Sequence, residues 1–327
     1  MGRRPTRASP GGVQEIDGYV VIDKPAGITS HDVVARARRL LATRRIGHAG
    51  TLDPGATGVL VLGVGRATRL LRFVSDQPKS YRGEIVFATT TSTLDDAGEI
   101  TGRFEMPNLE PERISLVARR FVGTIKQIPP MVSAIKVDGT RLYELARKGI
   151  EVERAPRSVT ITRFDLEPTK DRFVFSFVVD CSSGTYVRSL AADLGAALGG
   201  GAHLRRLRRE GIGPFRLDGA VVLDALSRDD VAPSLGLVRH LDRIVVDDRL
   251  ITDIAHGKIF ERRALEVVGD GPWALQSKDA RLLGVYESWT TERIKPAVVL
   301  LDADELERSK SADPELTPLT KDSPDGR

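Results

Sequence analysis

Two hydrophobic periods alternate along the chain. Residues Arg172–Cys181 (RFVFSFVVDC) place Phe173, Phe175, Phe177 and Val179 on one face, the two-residue period of a strand buried on one side. Tyr81–Thr89 alternates more weakly, and Gly18–Asp23 (GYVVID) is a short apolar strand leading into the Lys24-Pro25-Ala26-Gly27 turn. Helical spacing appears between these strands. Thr29 and Ser30 offer N-cap oxygens, with Asp32 three residues beyond Thr29, ahead of a helix ending near Leu41. Pro111–Phe121 and Gly139–Arg147 predict short helices followed by C-cap glycines, Gly123 and Gly149. A further helix runs from about Tyr186 to Leu198, with Thr185 near its N-cap, and is stopped by Gly199-Gly200-Gly201. Strands come singly and adjacently, without a steady βαβ alternation, so the pattern predicts an α+β fold on a mixed or antiparallel sheet. Near residue 245 the texture changes. Trp273–Leu275, Leu282–Tyr286 and Ala297–Leu301 alternate with Gly, Asp and Lys, which predicts a small β-rich second domain.

Composition narrows the class. A chain of 327 residues with 41% apolar content can bury a sizeable core. Cys181 is its one cysteine, which excludes an intramolecular disulfide, a CxxC redox pair and an all-thiolate zinc cage. The five histidines lack metal-site spacing, so no metal is expected. No apolar run approaches the ~18–20 residues of a membrane span, and the basic start lacks the apolar stretch of a secretory signal. A cytoplasmic protein is the expectation.

The net charge of +4 conceals two unlike parts. Residues 302–327 carry eight acidic and four basic residues with few bulky apolar side chains, the composition of a disordered acidic tail. The remaining 1–301 carry 45 basic and 37 acidic residues, a balance of +8 that points toward a polyanionic partner. The chain is thus expected to comprise a basic flexible leader (1–16), a main domain (17–244), the small β-rich domain (245–301) and the tail (302–327).

Four clusters could carry chemistry. The stretch RIGHAGTLDPGATGVL (45–60) sets Asp53 on a Gly-rich, Pro-stiffened loop, a way to present a single carboxylate. A plain Asp-Pro-Gly turn is the equally open alternative. In KSYRGEI (79–85), Tyr81 stands beside Lys79 and Arg82, as a sheet aromatic or a base-stacking platform. In CSSGTYVRSLAADLG (181–195), Arg188 falls in a first helical turn, where the dipole disfavours a cation and an anionic partner would be needed. In GAHLRRLRR (201–209), Arg205, Arg206, Arg208 and Arg209 interleave with Leu204 and Leu207, as a solvated face or a phosphate-contacting surface. Gly63-Val-Gly65 lacks the third glycine and the downstream acid of a dinucleotide fingerprint, so that reading is rejected.

Together with GYVVIDKPAGITSHDVV (18–34) and VSAIKVDGTRLYELARKG (132–149), these clusters resemble the bacterial tRNA pseudouridine synthase B family over about residues 17–301. The resemblance implies a pseudouridine synthase catalytic domain with a PUA-like RNA-binding domain after it. It also implies isomerisation of uridine 55 in the tRNA T-loop, with tRNA contacted at its T-loop and acceptor arm. No cofactor, guide RNA or second copy of the chain is called for. By the same resemblance Asp53 matches the essential aspartate, Tyr81 the tyrosine stacked on the flipped uracil, and Arg188 the arginine paired with the aspartate. His48 matches the histidine that fills the gap left by the base, while Leu207 and Tyr186 match pocket-lining residues. Lys24-Pro25 matches a KPxG motif of structural support. Val132 replaces a common aromatic, and Ser183 a common lysine. A tRNA-binding folding factor in which catalysis is secondary is the alternative, with a guide-RNA-dependent relative as a further one.

Overall fold

The computed structural model describes residues 16–131 and 152–301, together with 136–137, 140–141 and 150. The leader up to residue 15, the acidic tail, Val132, and most of the predicted Gly139–Arg147 helix with its Gly149 cap lie outside the described residues; the described part of that helix, Thr140–Arg141, is instead a short strand paired antiparallel with Lys136–Val137. The chain divides into two compact units, Met1–Ala232 and Pro233–Arg327.

The first unit is built on a ten-stranded sheet. Its strands are β1 (Gly18–Lys24), β2 (Ile46–Ala49), β3 (Thr57–Val64), β4 (Lys79–Phe87), β5 (Gly123–Gln127), β6 (Arg157–Pro168), β7 (Val174–Cys181), β8 (Ala202–Ile212), β9 (Phe215–Arg216) and β10 (Val221–Val222). They run in the order β10-β1-β3-β8-β4-β7-β6-β5, with β2 added on β3 and β9 on β8. The pairs β1–β10 and β3–β8 are parallel and the others antiparallel, so the sheet is mixed as expected.

Helix α1 (Ser30–Leu40) begins where the sequence predicts. The Thr29 hydroxyl accepts from the Asp32 amide at 3.0 Å while the Asp32 carboxylate accepts from the Thr29 amide at 2.9 Å, a reciprocal capping box. Val33, Val34 and Ala37 bury the apolar face of α1 among Val20, Ile22, Leu60 and Leu62 of β1 and β3. The short α2 (Leu71–Ser75) follows β3, and α3 (Pro111–Ala118) continues into one 3-10 turn over Arg119–Phe121. Gly123 takes φ +110° but opens β5 rather than capping that helix. Helix α4 (Val187–Ala197) packs Leu190 and Leu194 among Ile85, Phe87, Phe175, Phe177 and Val179, the side chains that gave the alternating pattern. The N-cap of α4 is Tyr186, without a side-chain cap; Thr185 instead donates to the Ser182 carbonyl at 3.0 Å. The cap is supplied from β5, where the buried Gln127 amide donates to Tyr186 O at 3.0 Å and accepts from Tyr186 N at 2.8 Å.

The second unit holds a five-stranded sheet, the β-rich character expected of this region. Its strands are β11 (Asp242–Val245), β12 (Phe260–Glu261), β13 (Trp273–Gln276), β14 (Leu282–Ser288) and β15 (Arg293–Val299). Trp273 and Tyr286 fill its core, with α5 (Ile251–Ala255) alongside. The strand β11 straddles the 244/245 junction read from the sequence.

Two glycines allow the close strand contacts at the centre of the first sheet. Gly58 has φ +102°, and a Cβ there would fall 2.2 Å from the Arg209 carbonyl oxygen. At Gly83 a Cβ would fall 2.2 Å from the Arg206 carbonyl oxygen, where β8 bulges and Arg206 adopts φ +56°. Gly58→Ala is expected to destabilise the first unit by about 2–4 kcal/mol through strain and clash, measured by denaturant unfolding. A wild-type midpoint would contradict the close approach of β3 and β8.

Candidate active site

The Asp53 loop, residues 50–56, leaves few of its backbone groups in regular pairing, and three side chains from outside it hold its carbonyls. Lys24, fully buried at the end of β1, donates to Pro25 O at 3.0 Å, Pro54 O at 3.2 Å and Ala56 O at 2.7 Å. Ser30, the first residue of α1, accepts from Leu52 N at 2.9 Å and donates to Leu52 O at 3.2 Å. Arg209, only 1% exposed, donates to Val59 O at 2.8 Å, Gly50 O at 2.8 Å and Thr51 O at 3.5 Å. Gly50 is required twice over. Its φ is +70°, and a Cβ would approach the Arg209 guanidinium at 3.3 Å.

The Asp53 carboxylate is left to face Arg188. Arg188 Nε lies 3.0 Å from Asp53 Oδ2, and Nη1 reaches Asp95 Oδ2 at 3.7 Å and Thr93 O at 3.1 Å. Arg188 is the second residue of α4 and 5% exposed, and its side chain finds anions away from the helix, as its unfavourable first-turn position predicted. One guanidinium thus serves two carboxylates. Asp53 keeps 45% of its side-chain surface open to the pocket, yet protein walls surround it. Burial therefore pushes its carboxyl above the ordinary value, Arg188 opposes, and Asp95 adds to the rise. The sequence reading anticipated the pairing with Arg188. It missed Asp95, whose place beside Arg188 depends on a pairing of distant segments.

A pocket of about 310 Å³ opens at this pair. Its lining brings together Asp53, Tyr81, Tyr186, Arg188, Leu207 and Arg209 from the predicted set, along with Lys79. Tyr81 is buried and hydrogen-bonded to Arg209, and burial holds its phenol above the usual value, so it stays protonated. His48 stands apart from this lining. It lies on β2 with its ring edge-on to His31 at 5.3 Å, and burial beside His31 and Arg209 brings its pKa down to about 4. A larger concavity of about 770 Å³ shares Leu207 with this lining and reaches the Asp53 loop at Gly55, but excludes Asp53.

The arginine run of β8 is not the uniform phosphate-contacting surface read from the sequence. Arg209 is a correction, since its guanidinium points inward and is consumed by loop carbonyls. Arg205 pairs with Glu84 at 2.8 Å and Arg208 with Asp23 at 2.7 Å. Arg206, on the bulge, leaves 77% of its side chain exposed and reaches Glu84 only at 3.5 Å. Alternation along a strand separates neighbours that a sequence run groups together.

No group of His, Cys, Asp and Glu suited to a metal ion occurs among the described residues. No helix among them is long and apolar enough to cross a membrane.

The family model described as TruB family pseudouridylate synthase (N terminal domain) matches residues 38–187, and that of the tRNA pseudouridylate synthase B C-terminal domain matches residues 188–246. The tRNA pseudouridine synthase B of Mycobacterium tuberculosis is 45% identical, over 82% of this chain and 91% of its own. That of Nocardia farcinica is 43% identical over 96% of both. Among solved structures, a chain of a Cbf5-Nop10-Gar1 complex matches with a TM-score of 0.68 at 25% identity, over 88% of this chain and 86% of its own. A chain of an archaeal box H/ACA sRNP Nop10-Cbf5 complex matches with a TM-score of 0.66 at 24% identity, covering 88% and 87%, which speaks for the fold.

Because the folded site disfavours ionised Asp53, its share of stability is present at low pH and lost as pH rises through the elevated folded-state pKa. Asp53→Asn is expected to raise the unfolding midpoint at neutral pH, with the gain vanishing at a pH below the ordinary carboxylate range. Thermal melts at both conditions check this, and a destabilised variant at neutral pH would show that Arg188 outweighs burial.

Proposed function

The chain belongs to the TruB family of pseudouridylate synthases, and we propose that it isomerises uridine 55 in the T-loop of tRNA to pseudouridine, with Asp53 as the essential carboxylate. The observation that carries this is the convergence of Asp53, Arg188 and Tyr81 on one pocket from three separate stretches of chain. The curated relatives, tRNA pseudouridine synthases B matched over most of their length, support tRNA as the substrate.

The reaction breaks the N1–C1′ bond, turns the uracil and joins C5 to C1′, so it is redox-neutral and has no leaving product. Extruding the base from a folded RNA costs a few kcal/mol. Stacking on Tyr81, worth ~1–3 kcal/mol, offsets part of it, and a phenol that stays protonated suits stacking rather than proton transfer. Leu207 and Tyr186 shape the walls around the base. Asp53 has a carboxyl poised nearer to neutral pH than a solvated aspartate, which favours it as a base or nucleophile. His48 is proposed to act on the RNA outside this pocket, in the gap that the extruded base leaves.

For the RNA backbone, the charge distribution supports a surface other than the β8 run. Residues 1–232 carry 35 basic and 27 acidic residues, whereas 233–301 carry ten of each. Between residues 33 and 75 eight arginines accompany one acid, Asp53. Arg39, Arg44 and Arg45, at the end of α1 and in the turn to β2, are exposed. These three, and separately the exposed Arg206, are proposed to contact RNA phosphates. The β-rich second unit is proposed to be a PUA-like module facing the acceptor arm.

Tritium release from C5-labelled uridine in an unmodified tRNA transcript tests the assignment. Wild type is expected to release it without guide RNA or accessory protein, and not from a transcript lacking uridine 55. Asp53→Asn is expected to abolish release while binding tRNA normally. Substantial turnover by this variant would remove Asp53 from the chemistry.

A further inference from the structure

Lys79 lines the Asp53 pocket but takes no part in holding Asp53 or its loop. It opens β4, two residues before Tyr81, and is 7% exposed. Its ammonium donates to Ser75 O at 2.6 Å and Gln77 O at 2.8 Å, carbonyls at the end of α2. Its stem runs beneath the catalytic loop, with Cε 3.7 Å from where a Gly50 Cβ would stand. An ammonium has three hydrogens to donate, and no hydrogen-bond acceptor among the described residues takes the third. Capping a helix end would account for the two carbonyl contacts. It would not account for a cation buried in the wall of a reaction pocket, where desolvation is costly.

Uridine isomerisation gives such a cation a task, so the inference rests on the function proposed above. Heterolysis of N1–C1′ leaves the bond pair on uracil, spread over N1 and the two carbonyl oxygens. Formation of C5–C1′ then draws on the ring electrons, C5 loses its proton and N1 gains one, without any other reactant. We propose that Lys79 is a further catalytic group, its free N–H donated to the negative charge on the detached uracil. A fixed donor in a water-poor pocket stabilises charge that exists only after bond cleavage, and so acts on rate rather than on binding.

Burial lowers the pKa of Lys79 to about 8. Arg209 on β8 contributes to that lowering, while Cys181 on β7 and Asp76 after α2 oppose it. The ammonium is therefore present below that value and lost above it.

Single-turnover tritium release by the full chain, with saturating enzyme and a pH series spanning 8, reads this directly. The wild-type rate is expected to descend as pH rises through about 8. Lys79→Met is expected to be slower by about 10²–10³-fold at neutral pH with unchanged tRNA affinity, and to lack the descending limb. Lys79→Arg, which keeps the charge, is expected to recover part of the rate and move the limb to higher pH. A wild-type rate level through this range, a Lys79→Met rate equal to wild type, or a limb unmoved in Lys79→Arg would each overturn the inference. Should Lys79→Met fail to fold, the wild-type profile and Lys79→Arg decide alone. Absence of release by wild type would instead overturn the reading of uridine isomerisation, and this inference with it.

Discussion

The site depends on two buried cations whose hydrogen bonds go to backbone rather than to acids. Burying an ammonium or a guanidinium costs several kcal/mol unless its N–H groups are matched. Lys24 and Arg209 meet that requirement with carbonyls of residues 25, 50, 51, 54, 56 and 59. The loop needs them as much as they need it. A Gly-rich segment with left-handed turns cannot satisfy its own carbonyls in a ladder, and buried carbonyls left unpaired carry their own penalty. Because backbone carbonyls accept the hydrogen bonds of both cations, the Asp53 carboxylate is not tied to either by one, although the Lys24 charge still acts on it. It remains available to Arg188 and to the pocket.

That division of labour sets the electrostatics of the pocket. Burial raises the Asp53 carboxyl, and Arg188, at 3.0 Å, opposes it as a close cation does. Asp95 shares the guanidinium at 3.7 Å, and Thr93 O takes part of its donor capacity. The net direction for Asp53 is upward, with burial the largest cause. A carboxylate that is basic for its kind is better matched to proton transfer than a fully stabilised one. Arg188 therefore orients Asp53 without quenching it.

What the sequence made legible was local or periodic. The Thr29–Asp32 capping box spans three residues, so both partners are visible in one glance along the chain. The Phe-rich face of β7 follows from its period, and its burial against α4 is the generic fate of such a face. Ends were less well read. The strand containing Tyr81 begins at Lys79 and stops at Phe87, because Ala88 turns to φ +67° before Thr89. The cap of α4 eluded the pattern because Gln127 reaches it from 59 residues away. Lys24 was recognised as structural support through the motif that contains it, but its three carbonyl partners were not. Asp95 carried no local signal at all, as its position is set by a bridge to Leu204 on β8.

Charge was the feature that sequence and structure partitioned most differently. A run of four arginines within five residues looks like a single basic surface when it is written on a line. On a bulged strand it separates into an inward cation, two side chains neutralised by Glu84 and Asp23, and one exposed residue on a left-handed turn. Residues 33–75 look less striking in sequence because their eight arginines are interrupted by apolar residues. Those interruptions are what build the surface. Val33, Val34 and Ala37 face the core, which turns Arg36, Arg38 and Arg39 of the same helix outward. Spacing at the period of the element, rather than density along the chain, decides whether basic residues can meet a phosphate backbone.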